Sequence, residues 1–185
     1  MNKKDQIIKL AFESFYKNGF QATAIDKLLL RSGISKRTLY KYFPTKEDLI
    51  RETILFYGQN SFDRMIKQIE VKHKNPIKRI IAIFDAKNEK LKKSDYSGCF
   101  AINATSEFDG RNKKIKSECK KTFNSLEKFI FTNCKKAGCK NPKKLAQQII
   151  ILLQGATIYS QTKQDSRSAI ISKEVAKVMI ERAIN

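Results

Sequence analysis

Apolar residues recur three and four positions apart along this chain, the spacing that gathers side chains on one face of a helix. From Lys4 to Asn18 the set is Ile7, Ile8, Ala11, Phe12 and Phe15, and Gly19 follows where a left-handed C-cap would sit. Thr23 then precedes "AIDKLLLRS" with an acid at Asp26, a variant of the capping arrangement, which predicts a second helix from Ala24 to Ser32. Gly33 stops it, and Ser35 offers a hydroxyl cap for a short third helix through about Tyr42. Pro44 breaks that helix. Thr45 caps a long fourth one reaching about residue 70, with Glu47 and Asp48 near its positive end.

Asn75-Pro76, a cap followed by proline at the first helical position, opens a fifth helix with Ile77, Ile80, Ile81 and Phe84 inward; Asn141-Pro142 repeats the punctuation. Between them the pattern predicts helices over about 97–108 and 112–137, the latter ended by Gly138, and beyond them helices over 142–163 and 168–184. The stretch "LAQQIIILLQGATIY" is apolar nearly all round and must be covered on more than one side. Two consecutive C-terminal helices this apolar suit a subunit interface, with Ile150, Leu153, Ile171, Val175, Val178 and Met179 as candidate dimerisation residues, unless they only finish the monomer core. The fold class is all-α, with about nine helices. A three-helix head over 1–46 and a larger helical part over 47–185 would share the fourth helix, about 45–70, as a rigid bridge.

Composition adds to this picture without redirecting it. The 185 residues, 41% of them hydrophobic, suffice to close a core, and the few glycines (7) and prolines (3) favour helices. The net charge of +20 makes nucleic acid the first partner to consider, yet residues 1–50 hold only ten Lys and Arg against five Asp and Glu. Runs such as "RNKKIKSECKK" and "KLKKSD" carry much of the remainder, as solvated helix faces, as a field that focuses DNA, or as a seat for an anionic ligand. The longest apolar run, "IIILL", is far short of a membrane span, and no small-residue cleavage site follows the basic N-terminal tip. A cytoplasmic protein with no membrane partner is expected. Four cysteines, Cys99, Cys119, Cys134 and Cys139, are too few for a disulfide scaffold. With His73 the only histidine, Cys134 and Cys139 make a poor metal-ligand set, and no metal or cofactor is implied. No glycine-rich phosphate loop or nucleophile elbow occurs, and His73 lies in the charged turn "EVKHKNP", so neither an enzyme nor a catalytic residue is expected.

The chemistry concentrates in "SGISKRTLYKYFPTKEDL". A capped helix, a glycine turn and a second helix make the helix-turn-helix layout, whose second helix presents its first residues to the major groove. Leu39 and Phe43 lie four apart and anchor one face, leaving the cations around the rest. Arg37 can pair bidentately with guanine, and Thr38 can touch a thymine methyl or a base edge. Lys36, Tyr40, Lys41 and Tyr42 suit phosphates, and Thr45 with Lys46 forms a further phosphate site at the start of the fourth helix. Thr23 and Ser35, the hydroxyls at the two helix starts, complete the candidate DNA-binding set. An architectural protein that coats DNA through its broad positive surface is the rival reading, and it predicts a much steeper salt dependence.

Residues 5–54 resemble the tetracycline-repressor family of bacterial regulators: a phenylalanine-rich first helix, Thr-x-x-Asp, Gly-Ile-Ser, Thr-Leu-Tyr-x-Tyr-Phe and Lys-Glu-x-Leu all occur in order. The resemblance implies that Lys36, Arg37, Thr38, Tyr40 and Tyr42 meet double-stranded operator DNA, with Lys46 at its backbone. It departs at Leu29 and Leu30, where the family often has smaller residues. It further implies a homodimer joined by the last two helices, and a ligand-responsive repressor released by a small hydrophobic or amphipathic inducer, whose head group the lysine excess allows to be acidic. Phe56, Tyr57, Phe62, Phe84, Phe100, Phe108, Phe123 and Tyr159 are the candidate pocket aromatics, though ordinary core packing competes for each of them. "YSGCFAINATSEFDG" resembles the Gly-Cys-x-x-x-Asn-x-x-x-Glu element of a branch of that family, matched by Cys99, Asn103 and Glu107, in which some members sense electrophiles or oxidants through the cysteine. A thiol-sensing repressor acting through Cys99 is therefore the alternative. A small buried residue at a tight helix start is the plainer one.

Overall fold

Asn2 caps the first helix, its side chain accepting from the Asp5 amide, and α1 (Lys3–Asn18) buries Ile7, Ile8, Ala11 and Phe15 on the predicted face. The computed structural model describes residues 2–30, 32–108 and 112–184. Within them the regular elements are helices, and no strand occurs among the described residues. After α1 come α2 (Ile25–Leu29), α3 (Lys36–Tyr42) and α4 (Lys46–Tyr57), then a π-helical turn (Gly58–Phe62) that runs directly into α5 (Asp63–Lys72). They are followed by α6 (Pro76–Leu91), α7 (Phe100–Phe108), α8 (Lys113–Lys136), α9 (Pro142–Lys163) and α10 (Ser168–Ile184). Counting α4, the π turn and α5 as one uninterrupted helical run of the chain gives the expected nine helices among the described residues.

The caps differ from expectation where tertiary contacts compete for the capping group. Gly19 does adopt a positive φ, but at φ 84°, ψ 164° it is extended rather than left-handed helical, a conformation open essentially to glycine alone. Thr23 caps nothing. It is buried, and its hydroxyl donates to the Gly19 carbonyl oxygen at 2.6 Å, so α2 starts from Ala24 without a side-chain cap and ends short, at Leu29. Asn75 accepts from the Ile77 and Lys78 amides as predicted, whereas Asn141 sits in the left-handed region and its side chain caps nothing. At the end of α8 the Cys139 amide donates to Cys134 O and the Gly138 amide to Lys135 O, with Gly138 at φ 74°. That is a Schellman stop.

The chain divides into two compact units, Met1–Ser61 with Cys99–Thr122, and Phe62–Gly98 with Phe123–Asn185. The expected head (1–46) lies wholly in the first unit, while the expected larger part (47–185) is divided between both. In the first unit Phe15, Phe20, Leu39, Phe43, Leu49, Ile50 and Ile54 are buried with Phe100, Ala104 and Ile115 of α7 and α8. In the second, α10 packs on α6 and α9, and the core runs through Ile80, Phe84, Ile130, Leu145, Ile149 and Ile180. No helix of the described residues is long and apolar enough to cross a membrane.

Candidate nucleic-acid interface

Ser35 begins α3 as the sequence predicts: its Oγ accepts from the Thr38 amide at 3.1 Å and lies 2.9 Å from the Thr38 hydroxyl. Gly33, at φ 68°, makes the preceding turn, in a conformation glycine adopts without strain. Leu39 and Phe43 are fully buried, and Ser35, Lys36, Arg37, Tyr40, Lys41 and Tyr42 are exposed around them, with Thr38 half-buried. The anchored pair thus fixes which way the polar residues face. Thr23, the tenth member of the expected set, is removed from this surface because it is 0% exposed and its hydroxyl is spent on the turn after α1.

The first turn of α4 adjoins this helix in sequence. Thr45 accepts from the Asp48 amide at 3.1 Å and its hydroxyl donates to the Asp48 carboxylate at 2.7 Å. The Thr45 hydroxyl, above all, holds the Asp48 carboxyl below its ordinary range, and the charges of Lys114 and Arg51 add to the effect. Lys46 donates to Gln21 O at 3.2 Å, across to the turn that follows α1.

Three polar contacts here escaped sequence reasoning. Lys36 pairs with Asp26 of α2 at 2.7 Å, a hydrogen bond and an opposite charge that together raise the Lys36 pKa; both side chains are exposed. Lys4 pairs with Glu52 at 3.1 Å, tying α1 to α4. Glu107, near the end of α7, accepts from the Phe20 amide at 2.9 and 3.1 Å and from the Gln21 amide at 2.8 Å. A Cβ placed on Gly19 would stand 3.1 Å from the Glu107 Oε1 atom, so glycine is needed there for space as well as for φ. The element "Gly-Cys-x-x-x-Asn-x-x-x-Glu" had singled out Glu107 without showing its use; only the chain's return at residue 99 brings it to the turn after α1.

The eight candidate pocket aromatics do not gather in one unit. Phe56, Tyr57, Phe100 and Phe108 join the first unit's aromatic cluster, with Phe12 5.0 Å from Phe100, Phe20 4.8 Å from Phe100 and Phe20 6.1 Å from Phe108 between ring centres. Phe62, Phe84, Phe123 and Tyr159 belong to the second. Phe84 is fully buried, while Tyr159 is 51% exposed on α9 and lines no interior. The dimerisation candidates separate too. Ile150 and Leu153 are buried in the second unit's own core and Met179 packs against it, whereas Ile171, Val175 and Val178 are exposed. Ile151, Ile158, Tyr159 and Ile170, which the sequence reading did not choose, are exposed on the same two helices.

Cys99 is half-buried immediately before α7, and its carbonyl oxygen accepts from the Asn103 amide at 2.8 Å. The other three cysteines are buried; all four are free thiols. Burial above all pushes the Cys119 thiol up, and drives Cys134 to about 12 beside Cys139. Among the described residues no group of three or more His, Cys, Asp or Glu could hold a metal.

The profile described as "Bacterial regulatory proteins, tetR family" matches residues 7–53, and that of the "Transcriptional regulator LmrA/YxaF-like, C-terminal domain" matches residues 76–170, more than half of the chain. The HTH-type transcriptional regulator QacR of Staphylococcus aureus is 39% identical over 74 residues, a match spanning 40% of this chain and 39% of QacR. The uncharacterized HTH-type transcriptional regulator YxaF of Bacillus subtilis is 20% identical over 98% of this chain and 96% of its own length. Among solved structures, the reduced form of Escherichia coli NemR shares the fold with a TM-score of 0.86 at 15% identity, over 95% of each chain.

Proposed function

Because the chain belongs to the tetR family of bacterial regulatory proteins, and so is a DNA-binding transcriptional regulator, we propose that it acts as a repressor whose operator binding a small molecule relieves. The observation that carries the DNA-reading part is the surface of α3: Arg37 at its second residue, flanked by Lys36, Tyr40 and Lys41, on a helix held by fully buried Leu39 and Phe43. A helix anchored so firmly presents Arg37 at a fixed angle, which bidentate reading of guanine requires. Lysine and tyrosine around it suit phosphates and set register.

Operator binding as a homodimer is part of the same proposal. One head has a small footprint, and a second head joined to it binds at high effective concentration. Support comes from the exposed apolar residues on α9 and α10, where Ile151 is 68% and Ile171 55% exposed. A ligand that favours one spacing of the heads over another would then control occupancy, within the limit of its differential affinity for the two. The buried Asn133 side chain supports a ligand in the second unit, since its Oδ1 has no hydrogen-bond partner among the described residues.

The test is footprinting on the DNA upstream of its own gene and its neighbours, repeated with Arg37→Ala. Loss of about 1 to 3 kcal/mol per half-site, together with relaxed sequence preference, is the expected result. An unchanged footprint would remove Arg37 from the reading role. A second reading, thiol sensing through Cys99, is favoured by its being half-buried where the other three cysteines are buried. It predicts that Cys99→Ser holds its operator under oxidant; release equal to that of wild type would end it.

A further inference from the structure

A part of the positive charge that α3 does not explain lies at the start of α8. Gln21 carries two of the contacts that define a corner of the first unit: its amide donates to Glu107 of α7, and its carbonyl oxygen accepts from Lys46 at the first turn of α4. Six residues after Glu107 the chain enters α8, which buries Ile115, Glu118 and Cys119 on one side. The other side leaves Lys113, Lys116 and Lys120 exposed, at positions that repeat every three to four residues and so share a face. Lys114, also exposed, stands about 100° round the helix from Lys113, on the flank away from Lys116, and its charge helps hold the Asp48 carboxyl of the α4 first turn below its ordinary range. Lys113, Lys116 and Lys120 have no carboxylate partner among the described residues, unlike Lys121, which pairs with Glu118 at 2.9 Å.

We propose that the first two turns of α8 form a second backbone-binding patch on the operator, continuous with the α4 first turn, in which Lys113, Lys114 and Lys116 bond phosphates outside the span that α3 reads. The proposal rests on the reading that α3 and the start of α4 meet DNA. Two arguments name duplex DNA as the occupant. The exposed α8 residues of the patch are lysines, which match a polyanion rather than an apolar inducer and outnumber the Glu47 and Asp48 carboxylates of the α4 turn they adjoin. Lysine heads are compact point charges on flexible stems, so the patch adds affinity and register but no sequence preference.

The measurement is the dissociation constant of the full chain on a mixed-sequence duplex of about 40 base pairs, as a function of salt. It is made for wild type, for the triple variant Lys113→Ala, Lys114→Ala, Lys116→Ala, and for the charge-matched control Lys128→Ala, Lys135→Ala, Lys136→Ala on the second half of the same helix. The triple variant should lose about one unit of log–log slope per contact removed, about three per head, while the control keeps the wild-type slope. Helical circular dichroism checks that the variants, altered only at exposed positions, remain folded. A triple-variant slope equal to wild type, or an equal loss in the control, overturns the patch and leaves the α3 reading intact. Wild type with no affinity for any duplex overturns both.

Discussion

Glu107 has consequences beyond its place in a motif. Its carboxylate accepts from two backbone amides of the turn after α1, both at Oε2, and removing so charge-assisted an acceptor leaves two costly orphan donors. Glu107→Ala removes that acceptor from both N–H groups, and should cost about 2 kcal/mol, seen as a fall in melting temperature of about 4 to 8 °C. Unchanged melting would mean that the turn is held by its packing alone. Asp26 acts in the opposite direction. It occupies the exposed Lys36 ammonium at 2.7 Å in the free protein, next to Arg37 in the sequence. Asp26→Asn should therefore tighten DNA binding only slightly, by roughly twofold, because an exposed pair competes only weakly with phosphate. Titration on duplex at fixed salt checks this, and weaker binding would show that Asp26 positions Lys36 instead. Neither contact was legible in the sequence. Asp26 was read as a capping acid, since a residue three after a threonine fits that pattern, and Glu107 lies 87 residues from the amide it binds.

At the level of elements, local signals were sufficient wherever the capping group had no rival. Ser35, Thr45 and Asn75 cap their helices as read, each a side-chain oxygen meeting an amide two or three residues on. Thr23 failed because a carbonyl on the preceding turn took its hydroxyl. Of the two residues noted as larger than the family usually carries, Leu30 is 71% exposed at the end of α2, whereas Leu29 is buried. The fourth helix was expected to be a plain rod. The π turn interrupts it at Gly58–Phe62, where the boundary between the two units falls, and a Cβ on Gly58 would stand 3.3 Å from the Thr122 hydroxyl of α8. The Schellman stop of α8 brings Cys139 over Cys134, the C″-to-C3 contact such stops make, and the two thiols share a hydrogen bond. Their burial and the Cys134 value near 12 keep both as thiols at neutral pH. In the native protein Cys99 should accordingly be alkylated by iodoacetamide well before Cys134 and Cys139, which should react only toward strongly alkaline pH or on unfolding. Peptide mass mapping over time reads this directly, and early labelling of Cys134 would contradict the packing.

For the whole molecule, the apolar surface on α9 and α10 and the positive charge are the two properties that reach beyond one chain. Val175, Val178 and Ile171 are exposed at helical spacing on α10, and Ile158 on α9. Val175→Glu with Ile158→Glu should yield a monomer by light scattering, with the helical content kept and operator affinity lost through the missing second head. A dimer that survives both changes would place the interface elsewhere. A salt slope equal to a few phosphates per head, with sharp operator preference, separates such a regulator from an architectural protein that coats DNA. The sequence by itself determined most of the helices, their order and the anchored face of α3, because caps, helical spacing and the glycine turn act within a few residues of one another. Only the tertiary structure decided which of those residues face water. It buried Thr23, Ile150 and Leu153, exposed Tyr159 and Ile151, and brought Glu107 to the turn after α1 and Lys114 toward the start of α4. Each of these depends on partners tens of residues away, and the pattern along a single helix carries no record of what packs against it.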